Sequence, residues 1–153
     1  VISDTHGLLR PEALLALVGV EHILHAGDVG KIKILDALRV IAPVTAIRGN
    51  VDVSGECANL PPTEMVKLAG RYFYLVHSVH DLDLDPVAAG VDVVVSGHSH
   101  KPVIEKKKGV LYLNPGSAGP RRFNLPVSVA FVTLDKSGIE ARIVELEVLS
   151  PAS

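Results

Sequence analysis

Val91-Asp92-Val93-Val94-Val95-Ser96-Gly97-His98-Ser99-His100 is a valine-rich run that stops at a glycine and then offers two histidines two residues apart. The valines read as a fully buried strand. A polar pair at the mouth of such a strand has little structural purpose without a ligand. Four other apolar stretches end the same way, in residue types that bind metal. Val1-Ile2-Ser3 runs into Asp4 and His6, and Ile23 to Gly27 runs into Asp28. Val44 to Gly49 runs into Asn50, and Tyr72 to Val76 runs into His77. Ligands in open α/β sheets gather at the carboxyl ends of strands. Strands ending at one edge would therefore bring seven such side chains together. That set exceeds the needs of one ion and suits two with a carboxylate between them.

The elements around these stretches change texture midway. Pro11 to Val18 reads as a short helix with proline in its first turn. Ile23 to Ala26 reads as a buried strand. Lys31 to Ile41 reads as a helix with Ile34, Leu35, Leu38 and Ile41 on one stripe, and Pro43 to Ile47 as the next strand. This order implies parallel strands with right-handed crossovers. Beyond Asn50, Thr63 to Leu68 and Arg71 to Val76 flank Ala69-Gly70 as a hairpin. Asp85 to Ala89 is a short helix closed by Gly90. Val103 to Lys107 and Val110 to Leu113 form another hairpin, and Val127 to Leu134 pairs with Ile139 to Val148. A parallel half followed by an antiparallel half predicts an α/β fold of two packed sheets with helices outside. With no repeat or linker, residues 1–153 are expected to form one domain.

The chain has 153 residues, enough to bury a core without disulfides or a structural metal. A net charge of −2 argues against a general nucleic-acid surface. Lys106-Lys107-Lys108, the one basic run, reads as a solvated hairpin tip. The lone Cys57 precludes an intramolecular disulfide and fits a reducing compartment, so a cytoplasmic location is expected. No apolar run reaches the ~18 residues of a membrane span. The only methionine is Met65, so a few residues are expected to precede Val1.

Each piece has a plainer reading when taken alone. Asp4 and Asp28 would cap helices, His6 would lie on the surface, and Gly49-Asn50 would be a turn. His77 would be a histidine satisfied by backbone. Only Gly97-His98-Ser99-His100 resists such an explanation, and the ordered set is far more specific than its parts. His22 reads as a strand-entry residue, His25 as a core hydrogen-bonding group, and His80 as either a supporting group near the site or a solvated loop residue.

In order along the chain, Asp4-x-His6, Gly27-Asp28, Gly49-Asn50, His77 and Gly97-His98-Ser99-His100 resemble the motifs of the calcineurin-like metallophosphoesterase superfamily. The small size and Asn114-Pro115-Gly116-Ser117 look like its small bacterial and archaeal phosphodiesterase branch, to which the retromer-subunit homologues are related. The resemblance implies a four-layer α-β-β-α sandwich of two mixed sheets with a two-metal site at the strand ends. It implies that Asp4, His6, Asp28 and His100 hold one ion, and Asp28, Asn50, His77 and His98 the other. Asp28, Asn50 and His98 are the residues expected to carry catalysis. Mixed oxygen and nitrogen donors suit Mn²⁺, Fe or Zn²⁺. The branch leans towards manganese, with Ni, Co and Mg also open.

Two positions depart from the family pattern. Val51 stands where many larger members place a leaving-group histidine, leaving that role vacant or to Asp52 or a water. Ser78 replaces a glycine after His77. The function expected is phosphodiester hydrolysis, with a metal-bridging hydroxide attacking phosphorus in line. Arg48 and, more weakly, Arg121 and Arg122 are candidates to touch the phosphate, with Arg122 the one most readily read as surface charge. The expected partner is a small phosphoester, without membrane and without nucleic acid, and a homodimer is the candidate assembly. The rivals are a retromer-subunit-like binding scaffold, whose relatives have impaired metal sets, and a nuclease.

Overall fold

The computed structural model describes residues 1–148. Strand β1 (Ile23–His25) pairs in parallel with β2 (Val44–Ala46). The N-terminal residues join the other side of β1 through a parallel bridge from Ile2 to His25. Val1 and Ala130 exchange main-chain hydrogen bonds. That contact brings in the hairpin of β8 (Ser128–Asp135) and β9 (Gly138–Glu145). Between β1 and β2 runs helix α2 (Ile32–Arg39), and helix α1 (Pro11–Ala16) precedes β1. Pro11 opens α1, where its missing N–H costs nothing. In α2, Ile34, Leu35 and Leu38 are buried, as their spacing predicts.

The second sheet has the order β3-β4-β5-β7-β6. Its strands are β3 (Thr63–Leu68), β4 (Arg71–Val76), β5 (Val93–Val95), β6 (Val103–Lys107) and β7 (Val110–Asn114). Here the structure corrects one expectation. Strands β4, β5 and β7 run parallel, and only the edge partners β3 and β6 are antiparallel. Hairpin turns betray the antiparallel pairs in sequence. The parallel ones follow long connections that carry no directional signal. Two 3-10 turns, Glu56–Asn59 and Val79–Asp81, were also not foreseen.

Alternation along the strands builds the layers. Ile23 and Val129 pack with α1 and α2, while Leu24 and Ala130 turn the other way into the inter-sheet core. Phe73, Leu75, Val93, Val95 and Leu113 meet them from the second sheet. Tyr74, Val76 and Val94 face outward, under Leu82 and Leu84. The result is the α-β-β-α sandwich, with a thin outer layer made of the Val79–Asp81 turn and the four-residue helix α3 (Pro86–Ala89). Asp85 caps α3 through the Val87 N–H, and Gly90 closes it at φ 75°.

Candidate metal centre

The seven side chains arrive at one edge from the ends of the N-terminal segment and of β1, β2, β4 and β5. They form two groups. Asp4, His6 and His100 offer donor atoms within 4.8 Å of one another, and so do Asp28, His77 and His98. Asn50 joins the second group, its Oδ1 3.0 Å from His98 Nδ1. Asp28 lies between the groups. Its Oδ2 is 3.1 Å from His77 Nε2 and 3.6 Å from His6 Nε2.

Neither aspartate caps a helix. The N-cap positions of α1 and α2 are Arg10 and Lys31, both without a side-chain bond. Instead, each carboxylate divides its labour. Asp4 Oδ2 accepts from Ser3 Oγ (2.7 Å) and the His98 N–H (3.0 Å), while Oδ1 faces His100 Nε2 at 3.4 Å. Asp28 Oδ1 accepts from the Val51 N–H (3.0 Å), leaving Oδ2 for the centre. Such outer contacts orient metal ligands.

His77 donates from Nδ1 to the Ala26 carbonyl (2.8 Å), which leaves Nε2 as the inward atom. Backbone satisfies only half of this ring. Asp4 Oδ1, His77 Nε2 and His100 Nδ1 are buried without a hydrogen-bond partner among the described residues. His6 and His100 also bring their Nε2 atoms to 3.3 Å of each other. Unpaired buried polar atoms cost ~1–3 kcal/mol each. Imidazole lone pairs crowded against carboxylates need positive charge among them, and the donor chemistry fits divalent cations.

The charge balance shows the same demand. Burial pushes the Asp28 carboxyl up, but His77 and the Val51 N–H outweigh it and hold the group at about 2. Asp4 is the main cause of the raised His6 pKa. Burial opposes protonation of His77, yet Asp28 and the Ala26 carbonyl raise its pKa. His100 is lowered by burial despite Asp4. Without a cation, the centre draws protons to His6 and His77.

The backbone is strained at the same residues. Asp4 (φ 56°), His6 (47°), Asp28 (53°), His98 (72°) and His100 (62°) all adopt left-handed conformations. Non-glycine residues rarely do so, and clusters of them mark functional sites. The loops also approach closely. A Cβ on Gly97 would meet Ser3 and the Asp4 carboxylate, and one on Gly49 would meet Asp28.

The supporting residues were less legible. Asn114 donates to the Gly97 carbonyl (2.9 Å) and Ser99 Oγ (3.1 Å) and accepts from the Gly116 N–H, fixing the loop that carries His98 and His100. Ser117 Oγ donates to the Asp4 carbonyl at 3.1 Å. The Asn114 to Ser117 stretch drew notice in sequence, but nothing local told its purpose. Asp52 is not a stand-in acid. It is 3 % exposed, and its carboxylate accepts from the Val29, Gly30 and Gly49 N–H groups. It clamps the β1 and β2 loops together.

His25 is the core hydrogen-bonding residue expected. Its Nδ1 accepts from the Gly27 N–H and its Nε2 lies 3.0 Å from Thr5 Oγ1. His22 sits 2.8 Å from the Thr45 hydroxyl. Arg48, Asn50, His77, His80 and His98 line a cleft of about 650 Å³ beside the second group. Arg48 is held there by a bond to the Ala58 carbonyl (3.1 Å). Arg121 is exposed and does not line this cleft. Its neighbour Arg122 is the one whose charge acts on His6 and His100, opposing protonation of both while Asp4 favours it.

Comparison with known proteins gives this arrangement its context. A probable metallophosphoesterase of Methanocaldococcus jannaschii is 35% identical, covering 96% of this chain and 80% of that protein. Phosphodiesterase YfcE of Escherichia coli is 29% identical over 87% of this chain and 85% of its own. An archaeal phosphodiesterase structure superposes with a TM-score of 0.76 at 24% identity, covering 94% of this chain and 97% of that one. Vps29 of Chaetomium thermophilum superposes at 0.74 and 19% identity, covering 95% and 94%. The family model described as the calcineurin-like phosphoesterase superfamily domain matches residues 1–137. On that match, and on the two clusters that meet at Asp28, the chain belongs to the calcineurin-like phosphoesterase superfamily.

Proposed function

We propose that this protein is a metal-dependent phosphodiesterase. Asp4, His6, Asp28 and His100 would hold one divalent ion, and Asp28, Asn50, His77 and His98 the other. The observation that carries the reading is the Asp28 carboxylate: one oxygen is fixed by backbone and the other lies between two donor clusters. When bound, two such ions lower the pKa of water at the site and offset charge on the phosphoryl oxygens. The chain's own part is to orient and to shield. Ser3 and the His98 N–H aim Asp4, the Val51 N–H aims Asp28, and Ala26 sets the His77 tautomer. Asn50 and His98, facing each other across 3.0 Å, form the wall of the cleft where the phosphate sits. Arg48 on that wall supplies a cation for a phosphate oxygen.

The mixed donors support manganese as the metal. The buried free thiol of Cys57 supports a cytoplasmic location. No helix among the described residues is long and apolar enough to cross a membrane. A net charge of −2 disfavours nucleic acid as substrate. A homodimer stays the candidate assembly. Competent donors at all seven positions favour an enzyme over a binding scaffold. The test is a hydrolysis screen of mono- and diesters and cyclic nucleotides against Mn²⁺, Zn²⁺, Ni²⁺, Co²⁺ and Mg²⁺. Diester turnover that chelation abolishes and Mn²⁺ restores is expected. Inertness towards every diester with every ion would overturn the reading.

A further inference from the structure

A second cleft, of about 250 Å³, lies on the other side of His98. Ser78, His80 and His98 line both clefts, so the two spaces share a ridge at the second donor cluster. A phosphodiester has two substituents. With phosphorus held at His98, one substituent falls to each side of the ridge.

The walls of the two clefts differ. The larger carries the charged groups Arg48, Asp81 and Asp83. The smaller has Tyr112, Leu113 and Val103 with Ser99 and Asn114 at its inner end. Tyr112 is half-buried on β7, packed at the margin of the Tyr74–Val94 cluster. The Lys107 ammonium lies 5.4 Å from its ring centroid and 3.6 Å from Glu105, so that end is electrically balanced. Ser99 Oγ accepts from the Lys101 N–H and from Asn114, which leaves its own proton to donate. An aromatic wall with serine hydroxyls, Ser99 among them, at its inner end suits a flat ring better than an aliphatic group.

We propose that the smaller cleft is the subsite for the second substituent of the diester, and that it selects a planar, ring-bearing group lying against Tyr112. This rests on the phosphodiesterase reading. Tyr112 would be a specificity residue, felt in binding and not in the chemical step.

The test uses the Mn²⁺-loaded full chain with two diesters of the same leaving group, bis(p-nitrophenyl) phosphate and methyl p-nitrophenyl phosphate. Tyr112→Leu, which keeps apolar packing, should raise KM for the bis-aryl ester roughly tenfold, with kcat little changed. KM for the methyl ester should stay within about twofold on the same ground. Tyr112→Phe should behave as wild type on both. Equal effects on the two diesters, or none, in a variant with wild-type circular dichroism would overturn the subsite while leaving the phosphodiesterase standing. A wild-type protein inert to both esters would overturn the parent reading, and the subsite with it.

Discussion

Asp28 is the residue on which the centre turns, because the free oxygen of its carboxylate is the atom nearest to both clusters. Asp28→Asn keeps the shape and removes the shared negative charge. Elemental analysis of the Mn²⁺-reconstituted protein should find close to two ions per chain in the wild type and fewer than one in the variant. One ion at saturation in the wild type would show that the bridge is not built. His25 makes the opposite case, a histidine that serves the fold. Burial lowers its pKa from 6.5 to about 4. The unfolded chain therefore binds the extra proton between those values, so stability rises with pH through this window. Its contribution is complete above about pH 6.5 and lost as pH falls towards 4, amounting to roughly 3 kcal/mol. Urea melts of the metal-free protein at pH 7.5 and 4.5 should show a smaller loss for His25→Gln than for wild type. Equal losses would mean that the ring is already charged in the folded state.

At the scale of elements, the loop after β2 decides how the reaction ends. Val51 gives its N–H to Asp28 and is 44 % exposed, while Asp52 pins the same loop to Gly30 and Val29. With valine at 51 and Asp52 occupied, neither can protonate a departing alkoxide. General acids typically contribute ~10²–10⁴-fold. Rates on a series of aryl and alkyl diesters should therefore fall steeply as leaving-group pKa rises, and Val51→His should flatten that slope. A flat slope in the wild type, with chemistry rate-limiting, would point to another acid such as His80. This loop also marks where sequence reading succeeds and where it stops. Glycine-then-ligand punctuation exposed Asp28, Asn50 and His98, because close backbone approach demands glycine at 49 and 97. The β3–β4 hairpin was visible to the residue, since a local turn fixes its register. The Asp52 clamp, the Asn114 brace and the parallel run of β4, β5 and β7 depend on partners far along the chain. No window of sequence displays them.

Seen whole, the molecule is two sheets that place every candidate ligand at one rim, over a core filled by alternating faces. Nothing in that core requires the rim to be strained, yet five donors there hold left-handed backbone. Such conformations cost a non-glycine residue ~1–2 kcal/mol. His98→Gly should therefore melt higher than His98→Ala in the metal-free protein, by about 2–8 °C for a chain of this size. If alanine matches or exceeds glycine there, the strain is not real. The same asymmetry has an evolutionary meaning. A change of His98 or His100 to glycine would relax the backbone, whereas Asp4 and Asp28 also carry hydrogen bonds that hold the loops. Selection for what those two rings do at the rim therefore works against the backbone's own preference there.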